Sequence, residues 1–332
     1  MTNSLKSLSL SIYFCKCQPF LLYTAFYQNK ADIILYMKQI AIIGPTASGK
    51  SDLALELAQQ TSAFILSLDS LSIYKEIDIA SAKPSKQDLK KIKHFGIDEI
   101  YPNDTFNAYT FAKIYRRALD QAKISDKNLI VVGGSSFYLS SMLNGLSPLP
   151  TITKQVQQDV DEMLLHVNDC YELLRHIDPK YMQNIKPNDK YRIQKMLLIY
   201  KASSYTPSQW FSMHPPRPVI KELPIYNIAV QKDNLIQRIH DRTNMMIKKG
   251  LIDEVAALEQ KYFRSCSSMK AIGIIETLQY LDGLLTKEQL VQEIDLHTRQ
   301  LAKRQQVFNK TQFKNPVTAS LKQLRQLLFT KD

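Results

Sequence analysis

Cysteine, glycine and long apolar runs are all scarce in this 332-residue sequence, and each scarcity argues against a class of protein. The four cysteines (Cys15, Cys17, Cys170 and Cys266) are too few and too scattered for a disulfide framework or a zinc site, so a reducing, cytoplasmic setting fits best. No apolar stretch approaches the roughly 20 residues that a membrane-spanning helix needs, and we expect no membrane partner. With 45% hydrophobic and 22% charged residues, the composition is that of an ordinary globular protein.

Acidic residues are also in short supply. Aspartate and glutamate number 31 against 43 lysines and arginines, which gives a net charge of +12. The excess is uneven, because residues 298–332 contain eight basic side chains and a single carboxylate. Localised positive charge favours a polyanionic partner, since each contact with a phosphate releases a counterion. A basic surface without any such partner is the alternative interpretation.

The first 36 residues contain no arginine, and Lys16 and Pro19 interrupt their apolar stretches. They also lack a convincing signal-peptide cleavage site, so neither a transit peptide nor a signal peptide is indicated. Met37 stands three residues before the first strand predicted for the core. We therefore expect residues 1–36 to come from an upstream start codon and to be disordered or absent in the natural protein.

Only nine glycines occur, so each is expected to serve a backbone requirement. Two of them frame Gly44-Pro45-Thr46-Ala47-Ser48-Gly49-Lys50-Ser51, a G-x-x-x-x-G-K-S phosphate-binding loop between an apolar strand and a helical pattern. In such a loop, backbone N–H groups and the lysine hold phosphates, and the serine hydroxyl binds Mg²⁺. We predict that a diphosphate or triphosphate is bound by Gly44, Thr46, Ala47, Ser48, Gly49, Lys50 and Ser51, with Ser51 as the metal ligand.

Apolar runs at residues 63–68, 128–132 and 225–230, and a weaker run around 95–98, alternate with helical patterns. This alternation predicts an α/β fold of the P-loop NTPase type, in which helices cover both faces of a parallel sheet. The pattern is helical throughout residues 150–210 and is punctuated by prolines, which predicts a small all-helical insertion there. The core is then formed by residues 37–149 and 211–332, and it should end in a long basic helix at about 287–310.

Polar residues follow two of the predicted strands: Asp69-Ser70 follows one, and Gly133-Gly134-Ser135 follows the other. The carboxyl ends of parallel strands bind ligands in such sheets, so we expect both segments near the phosphate loop. Taken singly, Asp69 is better explained as a helix cap or turn residue and Ser135 as a helix cap, but together, at neighbouring strand ends, they form a candidate site. The 128–132 strand lacks the terminal aspartate with which ATPases hold the Mg²⁺ water shell, which leaves open a small-molecule kinase or a transferase that releases diphosphate.

Together these motifs form an ordered set that resembles the bacterial tRNA dimethylallyltransferases. Besides the phosphate loop and Asp69-Ser70, the set includes Asp78-Ile79-Ala80-Ser81-Ala82-Lys83-Pro84, Val132-Gly133-Gly134 with Tyr138, Arg242 with Met246, Glu254-Val255, and Thr298 through Gln305. It covers residues 38–310 without rearrangement.

The resemblance implies transfer of a dimethylallyl group from its diphosphate to the exocyclic amine of the adenosine 3′-adjacent to the anticodon of certain tRNAs. It also implies dimethylallyl diphosphate as co-substrate, Mg²⁺ as cofactor and the tRNA anticodon stem-loop as partner. We expect a cytoplasmic monomer.

The same resemblance assigns roles to individual residues. Asp69 is the expected general base, Ser135 lies beside the reacting carbon, and Arg242 binds the diphosphate together with Lys50. Ser135 departs from the family's usual threonine by losing a methyl group that restrains the rotamer. The tRNA would be bound by Asp69, Ser70, Leu71, Ser72, Ser135, Tyr191, Arg192, Lys195, Arg299 and Lys303. Arg299 and Lys303 are four residues apart and share a helix face, although simple solvated charge would give the same pattern.

A P-loop small-molecule kinase is the main alternative function, and a nucleotide-dependent RNA-binding switch is a third. A kinase would need an arginine-rich lid, and the predicted insertion contains Arg175 and Arg192 but no arginine cluster. A switch would keep the metal-binding aspartate that the 128–132 strand lacks. Prenyl transfer to tRNA is therefore the predicted function.

Overall fold

A six-stranded parallel sheet organises the described part of the chain. The structure is a computed structural model that describes residues 38–329, so the prediction for residues 1–36 lies outside the described part of the chain. Six strands are hydrogen-bonded in the order β3-β2-β4-β1-β5-β6. Their bounds are β1 Gln39–Ile43, β2 Ala63–Ser67, β3 His94–Phe95, β4 Asn128–Gly133, β5 Ile225–Ala229 and β6 Val317–Ser320.

Helices fill the connections and cover both faces of this sheet, which confirms the predicted α/β fold. Their bounds are α1 Lys50–Gln60, α2 Lys86–Lys91, α3 Ala108–Ile124, α4 Ser136–Asn144, α5 Lys154–Met163, α6 Val167–Ile177, α7 Pro179–Met182, α8 Lys190–Ser203, α9 Pro207–Met213, α10 Lys232–Lys248, α11 Leu251–Tyr262, α12 Ile274–Leu281, α13 Lys287–Gln312 and α14 Leu321–Phe329. Within residues 38–329, no helix has the length and apolarity to cross a membrane.

The central strand β1 shows why the sheet has two apolar faces. It pairs with β4 on one side and β5 on the other, and successive side chains point to opposite faces. Ala41 and Ile43 enter the core beneath α3 and α11, whereas Ile40 and Ile42 enter the core beneath α1 and α14. Because both faces are covered, the strand is apolar throughout and shows no alternation with polar residues.

Two edge strands differ from the sequence prediction. The weak strand around residues 95–98 is only His94–Phe95, because Gly96 (φ +75°) and Asp98 (φ +55°) turn the chain away from the sheet. Strand β6 was not predicted, because it is only four residues long, is half-exposed and pairs with β5 alone among the described strands. An exposed edge strand lacks the long apolar run on which the other predictions rested.

Helices α5 to α9 pack around an apolar cluster of their own, which includes Val160, Leu174 and Leu197. This cluster is separate from the two clusters that cover the faces of the sheet. An antiparallel bridge between Leu146 and Arg217 joins the segments that lead into and out of this region. Trp210 Nε1 also donates a hydrogen bond to the carbonyl of Pro148 at 2.8 Å. The helical content expected for residues 150–210 is present, and their assignment as a separate insertion stays a prediction.

The predicted long basic helix is present as α13 and runs to Gln312. The expectation that it ends the core is wrong, because β6 and α14 follow it. It begins with a capping box in which Thr286 and Gln289 exchange hydrogen bonds between side chains and backbone. It packs against α10, α12 and α4. This packing brings one side of α13 against the end of the sheet at which β1, β2 and β4 terminate.

Candidate active site

The phosphate-binding loop connects β1 to α1, as its sequence predicts. Gly49 has φ +85° directly before the first helical residue, a conformation that glycine adopts without a steric penalty. Ala47 also has a positive φ of +59°. Successive residues with such angles are typical of loops whose backbone N–H groups bind anions. The ammonium of Lys50 donates a hydrogen bond to the carbonyl of Pro45 at 3.0 Å.

A cavity of about 590 Å³ opens beside this loop, at the carboxyl ends of β1, β2 and β4. Its lining includes six of the ten residues predicted for the catalytic and diphosphate sites, namely Thr46, Lys50, Ser51, Asp69, Ser135 and Arg242. Three residues predicted to bind tRNA, Ser70, Leu71 and Ser72, also line it. The structure therefore brings together side chains from four separate segments of the sequence.

Asp69 follows β2 and uses one carboxylate oxygen to form a turn. Its Oδ1 accepts hydrogen bonds from the backbone N–H groups of Leu71 at 2.8 Å and Ser72 at 3.1 Å. The turn interpretation of Asp69 is thus correct for Oδ1, and within the described chain Oδ2 has no hydrogen-bond partner. One oxygen fixes the carboxylate and the other stays available to accept a proton.

Ser135 ties the end of β4 to the segment after β2. Its hydroxyl accepts a hydrogen bond from the N–H of Ser70 at 3.2 Å, and its own N–H donates to the carbonyl of Leu68 at 3.0 Å. Gly133 is required at this crossing, because a Cβ at that position would collide with the backbone of Leu68. The close approach of the two strand ends places Ser135 next to the turn made by Asp69.

Burial and neighbouring charges shift the pKa values of the two basic side chains in the cavity, Lys50 and Arg242. The pKa of the Lys50 ammonium falls from its ordinary 10.5 to about 8, because burial and, secondarily, the Arg242 guanidinium outweigh the attraction of Asp69. Burial lowers the pKa of Arg242, and Asp69 opposes this shift. Two cations near one carboxylate form a site with excess positive charge, which suits a polyanionic ligand.

Two further side chains hold the phosphate loop, and sequence reasoning did not select either of them. Gln305 of α13 accepts a hydrogen bond from the N–H of Thr46 through Oε1 at 2.8 Å. Arg238 of α10 donates to the carbonyl of Ser48 at 3.3 Å, and Arg242 donates to the Thr46 hydroxyl, also at 3.3 Å. Gln305 lies inside the segment that resembles the family, but no local pattern shows that its amide reaches a loop 259 residues earlier.

Magnesium is compatible with the residues at this end of the cavity. Ser51 is exposed and lines the cavity at the first turn of α1. Within residues 38–329, no cluster of three histidine, cysteine or acidic side chains is arranged to hold a metal ion. A Mg²⁺ ion would therefore be held by Ser51, water and phosphate oxygens, which is the usual arrangement for this ion.

The remaining residues predicted to bind tRNA lie outside the cavity lining. Tyr191 and Arg192 are exposed in the first turn of α8, and Lys195 is half-buried in the next turn, with its ammonium 5.5 Å from the centre of the Tyr191 ring. Arg299 and Lys303 are exposed on α13, whereas Thr298, Leu301 and Gln305 of the same helix line the cavity. Helix α13 thus has one side in the cavity and another side covered with basic residues.

Comparison with known proteins shows the same combination of sequence and fold elsewhere. The family model of IPP transferases matches residues 72–312. The tRNA dimethylallyltransferase of Sulfurimonas denitrificans is 51% identical over 294 residues, which cover 89% of this chain and 99% of that protein. The protein of the same name from Nautilia profundicola is 50% identical and covers 88% of this chain and 99% of its own length.

Solved structures agree with the sequence comparison. A eukaryotic dimethylallyltransferase acting on tRNA superposes with a TM-score of 0.74 at 25% identity, over 87% of this chain and 75% of that chain. The tRNA isopentenylpyrophosphate transferase of Staphylococcus epidermidis superposes with a TM-score of 0.61 at 28% identity, over 87% of this chain and 95% of that chain.

Proposed function

This chain belongs to the IPP transferase family, and we propose that it transfers a dimethylallyl group from dimethylallyl diphosphate to tRNA. The acceptor is the exocyclic amine of the adenosine 3′-adjacent to the anticodon, and diphosphate is released. One observation carries the proposal: a single cavity holds the Asp69 carboxylate together with the Lys50 and Arg242 cations and the phosphate-binding loop. Family membership favours this reaction over the small-molecule kinase and the RNA-binding switch.

The cationic side of the cavity suits the leaving group. Lys50, Arg242 and the N–H groups of the loop would bind the diphosphate and neutralise the charge that develops as the carbon–oxygen bond breaks. Mg²⁺ held at Ser51 would supply further charge neutralisation when it is bound. The apolar side chains of Ile239, Met246 and Leu301 line the same cavity and would accommodate the five-carbon group.

The acidic side of the cavity suits the nucleophile. An adenosine amine is a weak nucleophile and must lose a proton as it attacks, so a positioned base is needed. Asp69 fills this role, because its Oδ1 is fixed by two backbone N–H groups and its Oδ2 is left to accept the proton. Ser135 lies beside the Asp69 turn, where its hydroxyl is available to the departing oxygen.

The RNA would approach over several basic and aromatic surfaces. To reach the cavity, the target base must leave its stack, which costs a few kcal/mol that protein contacts must offset. We assign those contacts to Asp69 through Ser72 near the extruded base, and to Tyr191, Arg192, Lys195, Arg299 and Lys303 on the exposed helices. In this assignment residues 150–210 form a tRNA-binding insertion in a protein that acts as a monomer in the cytoplasm.

The test is to incubate the protein with dimethylallyl diphosphate and unmodified tRNA and to measure prenylated adenosine. Asp69→Asn is the informative variant, because the amide oxygen still accepts the two backbone hydrogen bonds but the side chain no longer accepts a proton. We expect kcat to fall by about 10²- to 10⁴-fold while tRNA affinity is retained. Absence of product from the unaltered protein, together with ATP turnover, would refute the proposed function in favour of a kinase.

A further inference from the structure

The segment that joins β2 to α2 forms one wall of the cavity. Residues 69–72 and 80–85 line it, and Asp69 stands at the beginning of the segment. The facing wall includes Ile239, Arg242 and Met246 of α10. The segment consists mainly of turns, so its position relative to α10 depends on side-chain contacts.

One carboxylate links this segment to α11, the helix that follows α10 in the chain. Glu254 of α11 accepts hydrogen bonds from three consecutive backbone N–H groups, those of Asp78 at 2.9 Å, Ile79 at 2.7 Å and Ala80 at 2.9 Å. Hydrogen bonds to an ionised acceptor are about twice as strong as neutral ones. Because only the turn at Gly250 separates α11 from α10, Glu254 belongs to the same helical pair as Arg242.

A buried ammonium closes the same segment on itself. The side chain of Lys83 is only 4% exposed, and its Nζ donates to the carbonyl of Tyr74 at 2.7 Å, to Asp78 at 2.7 Å and to Asp98 at 2.6 Å. Glu76 and Ala82 bracket this region with positive φ values of +66° and +48°. Such backbone conformations are strained for residues other than glycine and persist only where surrounding contacts maintain them.

We propose that Glu254 is a positioning residue for the transfer reaction. By binding the 78–80 amides, it sets the distance between the segment that carries Asp69 and the helix that carries Arg242. The proton acceptor and the diphosphate clamp are thereby held in one geometry. The inference rests on the proposed function, because it assumes that Asp69 accepts the proton of the attacking amine while Arg242 binds the diphosphate that leaves in the same reaction. Glu254 itself does not line the cavity.

Glu254→Gln is the test, because an amide offers one oxygen to three N–H groups and directs its own N–H towards the others. Displacement of a reacting group by about 1 Å can cost about 10²-fold in rate. We therefore expect kcat to fall by about 10- to 100-fold, with KM for both substrates changed by less than about threefold. Hydrogen exchange at the amides of residues 78–80 should accelerate in the same variant.

Lys261→Met is the matched control. Lys261 joins the same helix to the same segment through an ion pair with Glu76 at 2.6 Å, but both side chains are exposed. An exposed pair contributes little to stability, so this variant should keep the kcat of the unaltered protein.

Three results would overturn the inference. They are an unchanged kcat in Glu254→Gln, a loss expressed in KM alone, and an equal fall of kcat in Lys261→Met. If Glu254→Gln fails to fold, Glu254→Asp replaces it, because a carboxylate that is shorter by one methylene reaches the 78–80 amides less well, and the same three results then apply to that variant. Activity of the unaltered protein separates these results from failure of the proposed function, which would abolish product in every sample.

Discussion

Affinity for dimethylallyl diphosphate should fall as the pH rises through about 8, because Lys50 loses its proton there. In the free protein, burial and the nearby Arg242 lower the pKa of this ammonium from 10.5 to about 8. Lys50 is then about 90% charged at pH 7, half charged at pH 8 and about 10% charged at pH 9. A bound diphosphate favours the charged form, so binding is coupled to proton uptake above pH 8 and is independent of this group below pH 7.

The assay is the initial rate of tRNA prenylation as a function of dimethylallyl diphosphate concentration between pH 7 and pH 9. KM should rise about tenfold across this interval, whereas kcat at saturation should stay nearly constant, because the bound anion restores the charge on Lys50. Lys50→Arg is the control, since a guanidinium stays protonated throughout this range and its KM should be independent of pH. A flat KM in the unaltered protein, or an equal rise in Lys50→Arg, would refute the argument.

Two further substitutions test other parts of the site. Gly134→Ala should raise KM for the diphosphate substrate, because the new methyl group would collide with the amide of Gln305 that holds the phosphate loop. Gly283→Ala is the control, because a methyl group there meets no atom within 4 Å although φ is +74°. It should lower Tm without raising KM. Lys303→Gln should weaken tRNA binding and reduce the slope of log K against log salt concentration by about 1, and Lys322→Gln on α14 should leave the slope unchanged. Equal slopes for all three proteins would place the RNA elsewhere.

Much of the core could be predicted because its information is local. The strand at Gln39–Ile43 is apolar throughout, the glycines and lysine of the following loop are contiguous, and α13 carries its own capping box at Thr286. Strand β6 escaped prediction because four half-exposed residues at a sheet edge carry no distinctive pattern. The strand expected at 95–98 proved shorter because backbone angles at Gly96 and Asp98, rather than hydrophobicity, decide where it ends.

The role of Asp69 in the site could be predicted only in part from the sequence. A carboxylate at the end of a parallel strand is a candidate from sequence alone, although a helix cap or turn is the better interpretation of Asp69 taken singly. The structure reconciles the two, since one oxygen makes the turn and the other has no hydrogen-bond partner within the described chain. Which oxygen is available depends on the conformation of residues 69–72, and sequence patterns do not encode it directly.

The parallel α/β core, the phosphate-binding loop and the ordered motifs of the family can all be predicted from the amino-acid sequence. These features depend on the periodicity of apolar residues and on contiguous residue types, and both are visible in the amino-acid sequence itself. The folded arrangement adds three facts: Gln305 and Arg238 hold the phosphate loop, Glu254 binds the segment beginning at Asp69, and burial lowers the pKa of Lys50 to about 8. Each of these results depends on groups that are distant in the chain and close in space, and hydrogen bonds and desolvation act only over such short distances.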